Sequence, residues 1–287
     1  MRLLNLPTLF TQTQLKLFHF TTLKRTFKIM APLNPTSQEA INRLRNYVPP
    51  PTTYSLVPLS RRAAVLILLF ADAKGDLKVV VTIRAKTLSS YAGDAALPGG
   101  RADNTETAFQ TARREASEEI GLPDINQKFP PPFSVEHLCE LPANLARTEV
   151  VVRPCVALLH GSDLHLGLNA DPEASLVPIL DAREVEAVFT APLKDFLSQN
   201  ISVQDDWYTG TWGTWHNSQW RMHQFFVRHE DQVYRIFGMT ARIIVDAARV
   251  AYAQEPEFEH NSHFGDEEMI TRLFESGQLS EEKAKLT

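Results

Sequence analysis

The chain has 287 residues, 44% of them hydrophobic, and a formal net charge of −5. That is enough apolar material for a sizeable core in one large domain with extensions, and the acidic balance argues against a nucleic-acid backbone as main partner. The longest apolar run, Ala63 to Ala71, is far too short to span a bilayer; the two cysteines, Cys139 and Cys155, suit a reducing compartment and give no zinc-site spacing.

Residues 1–38 contain no Asp or Glu, whereas Arg2, Lys16, Lys24, Arg25 and Lys28 are basic. This is the composition of a mitochondrial import segment, although a plain extension, or sequence upstream of a start at Met30, fits as well. The chain ends Lys285-Leu286-Thr287, which differs from the peroxisomal Ser-Lys-Leu address. Ser37, followed by Glu39, Ala40, Ile41, Leu44 and Tyr47, predicts a short capped helix that Pro49, Pro50 and Pro51 terminate. Ala63 to Ala71 and Leu77 to Arg84 are β-rich runs around Asp72-Ala73-Lys74-Gly75-Asp76, which predicts a hairpin. Thr105 to Ile120 has helical character, with Gly121 and Pro123 as its stop signal.

Further on, Glu149 to Leu159 and Val185 to Phe189 read as strands, and Leu193 to Leu197 as a short helix. Trp207 to His216 is aromatic and contains glycine, so it reads as a loop or hairpin. Met222 to Arg228 with Gln232 to Ile236 makes a second hairpin, and Thr240 to Tyr252 a long apolar helix. The mixture lacks regular strand–helix alternation, which favours an α/β sandwich on a mixed sheet over a doubly wound sheet. The expected organisation is an N-terminal extension over 1–35, one domain over 36–255, and a charged, peripheral tail over 256–287.

The chemistry concentrates between Gly100 and Leu122. On a helix, Glu115, Glu118 and Glu119 stand at i, i+3 and i+4, so their carboxylates share one side and repel one another. A hard divalent cation such as Mg²⁺ removes that cost. The bland alternative is a solvated acidic face. Against it, Glu119 falls in the same sector as Ala108, Ala112 and Ala116, the side expected to face the core. Pro98-Gly99-Gly100 upstream allows a close-approaching loop, and Gly121 suits a positive φ at the helix end.

This segment resembles the Nudix box: glycine, five residues, glutamate, seven residues, then Arg-Glu-aliphatic-any-Glu-Glu-any-Gly-aliphatic. Ala116 is a small choice for the aliphatic slot. The resemblance implies an α/β/α sandwich and hydrolysis of a nucleoside diphosphate linked to another moiety, with Mg²⁺ or Mn²⁺. By it Glu115, Glu118 and Glu119 are metal ligands, one doubling as general base, and Glu106 with Arg114 is a bracing ion pair.

Thr82-Ile83-Arg84-Ala85-Lys86 through Gly93 to Leu97-Pro98-Gly99-Gly100 is similar to the extra signature of the coenzyme A diphosphatase subfamily. Ser89 departs from it where the signature has arginine, and Leu97 where it has phenylalanine. Phe237-Gly238-Met239-Thr240-Ala241 also resembles a helix start of that subfamily, whose fungal peroxisomal members look most alike. The implied reaction splits coenzyme A, and by extension acyl-CoA, into adenosine 3′,5′-bisphosphate and 4′-phosphopantetheine. Arg84, Lys86 and Arg101, with Gly99 and Gly100, are then the expected substrate contacts. Trp207, Tyr208, Trp212, Trp215 and Trp220 are candidates for a ligand wall. The alternatives are a hydrolase of oxidised nucleoside triphosphates or other nucleoside diphosphate derivatives, and a Nudix-fold binding module without catalysis.

Overall fold

Arg62–Ala71 forms a strand, β1, whose side chains divide by alternation. Ile67 and Leu69 enter one apolar cluster; Leu66, Leu68 and Phe70 enter a second on the opposite face. A strand covered on both faces needs no polar positions, which is why the run is continuously apolar. The structure is a computed structural model and describes residues 32–87, 92–129, 131–163, 168–169, 183–201, 206–229 and 231–281. Residues 1–31, on which the import reading mainly rests, and Ser89 lie outside the described residues.

The first helix, α1 (Pro35–Arg45), is capped by Asn34 and not by Ser37: Asn34 Oδ1 accepts the Ser37 N–H at 2.9 Å. Proline at the first helical position moves the start back, because its missing N–H costs nothing there. From β1 the chain turns into β2 (Leu77–Arg84) through the expected hairpin. Asp72 Oδ1 accepts the N–H groups of Lys74 and Asp76, and Gly75 takes φ 78° in the turn.

Two short strands follow, β3 (Ala95–Ala96) against β2 and β4 (Gly99–Arg101) against β1. The helix α2 (Ala108–Ile120) starts three residues later than its sequence pattern predicts, because Thr107 and Gln110 form a reciprocal capping box. Gly121 closes it at φ 68°. Then come β5 (Ser134–Glu140), β6 (Asn144–Leu145), β7 (Val151–His160), the small pair β8 (Ser162–Asp163) and β9 (Leu168–Asn169), and β10 (Val185–Pro192). The main sheet runs β10-β2-β1-β7-β5, with β3, β4 and β6 attached to β2, β1 and β7. Only its β1–β7 pairing is parallel among those described, so the sheet is mixed.

After a single 3₁₀ turn over Leu193–Leu197, β11 (Tyr208–Trp215), β12 (Ser218–His229) and β13 (Gln232–Phe237) form a second, three-stranded sheet. The aromatic stretch is thus the first strand of a hairpin, turned at His216 and Asn217, both at positive φ. The chain continues into α3 (Gly238–Tyr252) and α4 (Glu267–Glu275). Ala40, Ile41 and Leu44 of α1 and Ile244 and Ala248 of α3 cover one face of the main sheet; Ala112 and Ala116 of α2 and Ile270 and Leu273 of α4 cover the other. The fold is an α/β/α sandwich.

The segment beyond residue 255 is not merely peripheral. Met269, Ile270 and Leu273 are buried, and the acidic residues before and at the start of α4 find partners across the molecule. Asp266 Oδ1 accepts Arg242 Nη1 at 2.6 Å, and Glu267 Oε1 accepts Arg153 Nη1 at 2.9 Å. Their second acceptances, from the N–H groups of Leu145 and Ala143, tie α4 to β6. Charge that reads as solvated in one dimension is here neutralised by distant arginines. Among the described residues no helix is long and apolar enough to cross a membrane.

Candidate active site

The pairing of β4 with β1 sets Gly99 against Val65 and Gly100 against Ala64. A Cβ at Gly99 would collide with the Ala64 carbonyl and the Val65 backbone, and one at Gly100 would lie 2.5 Å from the Glu115 carboxyl carbon. The close approach expected of this Pro-Gly-Gly segment is therefore made by a strand and not by a loop. It brings the peptide backbone against α2, where Gly99 N–H donates to Glu119 Oε2 at 3.1 Å.

Helical spacing then grades the glutamates. Glu119 is 4% exposed, in the sector of Ala108, Ala112 and Ala116. The side chain of Glu115 is 14% exposed and that of Glu118 56%. Burial pushes the Glu119 carboxyl up to about 8; the Gly99 N–H opposes this, Glu115 and Glu184 add to it, and Arg84 works against it. Burial also raises Glu115, with Arg114 opposing. Arg114 braces the outer side. Its Nε donates to Glu106 Oε1 at 2.8 Å, and its Nη1 to Glu115 Oε1 at 3.0 Å and Glu118 Oε2 at 3.3 Å. Its Nη2 donates to the Arg101 carbonyl at 2.9 Å, which locks α2 to β4. The guanidinium beside Glu106 holds that carboxyl below its ordinary range.

Among the described residues no three His, Cys, Asp or Glu side chains converge closely enough to cage a metal alone. The donors that do assemble are hard carboxylate oxygens, one of them buried and hard to ionise without a cation. That set fits Mg²⁺ or Mn²⁺, which keep waters and take further oxygens from substrate phosphates.

The expected cations divide. Arg84, the last residue of β2, lies close enough to weigh on Glu119, and its buried Nε has no partner among the described residues. Lys86 is instead exposed and paired with Glu186 at 2.7 Å, because the β10 edge runs alongside. Arg101 sends its Nη1 to the Ser60 carbonyl, on the outer side of β4. The aromatic wall does not form as expected. Trp207 is buried with Phe196 and Phe225, and Tyr208 stacks on Phe258 at 3.8 Å. Trp212 donates to Glu259, Trp215 packs on the core, and Trp220 lies beside Arg242. Sequence reading missed Glu184. It precedes β10, and its carbonyl accepts the Ala85 N–H at 2.8 Å, so sheet pairing alone carries it to Arg84.

The NUDIX domain profile matches residues 60–188, which contain β1, α2 and every one of these carboxylates. A Nudix hydrolase of Photorhabdus laumondii, named as uncharacterized NudL, is 34% identical over 159 residues, covering 55% of this chain and 72% of that protein. The chain belongs to the Nudix hydrolase family. Nudix hydrolase 15, mitochondrial, of Arabidopsis thaliana is 35% identical over 213 residues, covering 71% of this chain and 66% of the relative. Peroxisomal coenzyme A diphosphatase 1 of Saccharomyces cerevisiae is 33% identical over 180 residues, covering 58% of this chain and 52% of the relative. This Nudix chain thus spans between about half and two thirds of the length of these last two relatives.

Proposed function

We propose that this Nudix protein hydrolyses a diphosphate bond with the aid of Mg²⁺ or Mn²⁺, and that its substrate is coenzyme A, with acyl-CoA as a further substrate. The observation that carries the hydrolase reading is the buried Glu119 carboxylate, oriented by Gly99 N–H beside Glu115. The coenzyme A reading is supported by the Saccharomyces cerevisiae relative, by the sequence signature from Thr82 to Gly100, and by Arg84 at the end of β2, whose charge reaches Glu119.

Glu115, Glu118 and Glu119 would hold the ion. When bound, it neutralises charge on phosphoryl oxygens, the main demand of this chemistry. The chain's own residues do the rest. Gly99 N–H keeps Glu119 in one orientation, and Arg114 restrains Glu115 and Glu118. Arg84 supplies a cation for the 3′-phosphate of coenzyme A. As a water oxygen bonds to phosphorus and the bridging P–O bond breaks, the water's proton passes to a carboxylate of the Glu115, Glu118, Glu119 and Glu184 set. The products are adenosine 3′,5′-bisphosphate and 4′-phosphopantetheine.

The test is product analysis with Mg²⁺ across coenzyme A, acyl-CoA, 8-oxo-dGTP, ADP-ribose and NADH. Efficient release of adenosine 3′,5′-bisphosphate from coenzyme A is expected; preferential turnover of 8-oxo-dGTP would overturn the substrate assignment. Two relatives are named mitochondrial and peroxisomal, which supports either compartment for this chain. Fluorescent fusions beginning at Met1 and at Met30 separate the two.

A further inference from the structure

The second sheet has one buried and one open face. On β12, Arg221, His223, Phe225 and Val227 are buried, while Trp220, Gln224 and Phe226 are half-buried and Met222 is 39% exposed. Register places Thr211 beside Met222, Thr209 and Phe237 beside Gln224, and Arg235 beside Phe226, all on the open face. Arg235 lies over the Phe237 ring at 4.2 Å from its centroid. The open face is thus a strip in which apolar side chains alternate with an amide, hydroxyls and a cation.

The strip runs into the site. Phe237 precedes Met239 by two residues, and Met239 packs against the same small cluster, Ala63, Val150 and Val152, as Val65, the partner of Gly99. It therefore ends within a few residues of the backbone that orients Glu119. We propose that this open face, through Met222, Gln224 and Phe226, holds the non-nucleotide arm of the diphosphate substrate and so sets which diphosphates are accepted. An arm of methyl groups interrupted by amides matches the strip: Met222 and Phe226 cover the methyl groups, Gln224 meets an amide, and Arg235 stands near anionic oxygens. A second protein copy would be favoured by a more uniformly apolar patch than this one. The inference rests on the diphosphate-hydrolase reading.

Dephospho-coenzyme A and ADP-ribose share the ADP half and differ in the arm. Met222→Ser and Phe226→Ser should each raise KM for dephospho-coenzyme A roughly tenfold, the scale for uncovering one large apolar contact, and leave KM for ADP-ribose unchanged. Phe226→Leu should restore most of the loss, which separates a lost contact from a lost fold. Equal losses on both substrates, or none, would overturn the inference, as would a change in sedimentation coefficient, which would assign the face to a second copy. A calorimetric titration with 4′-phosphopantetheine reads the strip without turnover. Wild type should bind it and both serine variants more weakly, even if no diphosphate is cut. A wild-type protein that does not bind it sinks the strip while leaving the hydrolase reading standing.

Discussion

Glu119 on α2 and Gly99 on β4 are joined by a backbone-to-carboxylate hydrogen bond of 3.1 Å, which fixes the most buried glutamate to the strand that follows the Pro98 turn. Because β4 is itself paired to β1, the carboxylate is held by the main sheet and not only by its own helix. Positioning at this level is what lets small changes around a site have large effects on rate.

Gly100→Ala tests that positioning. The new Cβ would lie 2.5 Å from the Glu115 carboxyl carbon, the far end of a side chain that can swing away. The expected outcome is a fold of near wild-type thermal stability with kcat reduced about 10- to 100-fold. Normal kcat in that variant would show that the placement of Glu115 does not matter.

Arg84→Ala addresses the 3′-phosphate. A charge-assisted hydrogen bond of about 1.5–3 kcal/mol predicts that coenzyme A exceeds dephospho-coenzyme A in kcat/KM by roughly 10- to 100-fold. The variant should shrink that gap mainly by weakening activity on coenzyme A. Equal efficiency of the wild type on both would mean the 3′-phosphate is not read.

Asp266→Ala breaks a pair in which each side chain is 2% exposed, leaving Arg242 buried without its carboxylate and the Leu145 N–H without its acceptor. A loss of about 3–5 kcal/mol in urea unfolding is expected. A loss below about 1 kcal/mol would return the C-terminal segment to a peripheral role.

How much of this was legible in the sequence differs by feature. The α2 glutamates were legible because helical spacing alone decides which of them share a face, and Gly121 marked the helix end by its need for positive φ. Val185–Phe189 was legible as a strand, yet nothing local says that it pairs with β2, so Glu184 was invisible. The partners of Asp266 and Glu267 lie 24 and 114 residues away, at Arg242 and Arg153. Local composition therefore described that segment as charged without showing it was buried. Trp207 and Trp212 separate for a related reason: Trp207, just before β11, packs in the core against Phe196 and Phe225, whereas Trp212, opposite Arg221, is exposed, and no local spacing tells the two apart.

His223 provides a pH test away from the glutamates. It is 1% exposed, accepts or donates with the Tyr208 hydroxyl at 3.0 Å, and is pushed down to about 3 by burial, then by Arg221, Arg242, His260 and Arg249. Its folded value lies below the unfolded value of about 6.5, so the unfolded chain binds the extra proton between the two. The stability associated with neutral His223 is full above about pH 6.5 and falls as pH drops towards 3, by at most about 1.4 kcal/mol per unit. His223→Gln should flatten the acid limb of urea stability relative to wild type; parallel limbs would contradict this.

The most direct measurement follows adenosine 3′,5′-bisphosphate released from coenzyme A with Mg²⁺ by wild type and by Glu119→Gln, which keeps the shape and removes the charge. Wild type should release product, and the variant should show a fall of at least about 10²-fold in turnover with unchanged cooperative unfolding. A folded Glu119→Gln protein that cleaves coenzyme A at the wild-type rate would contradict this.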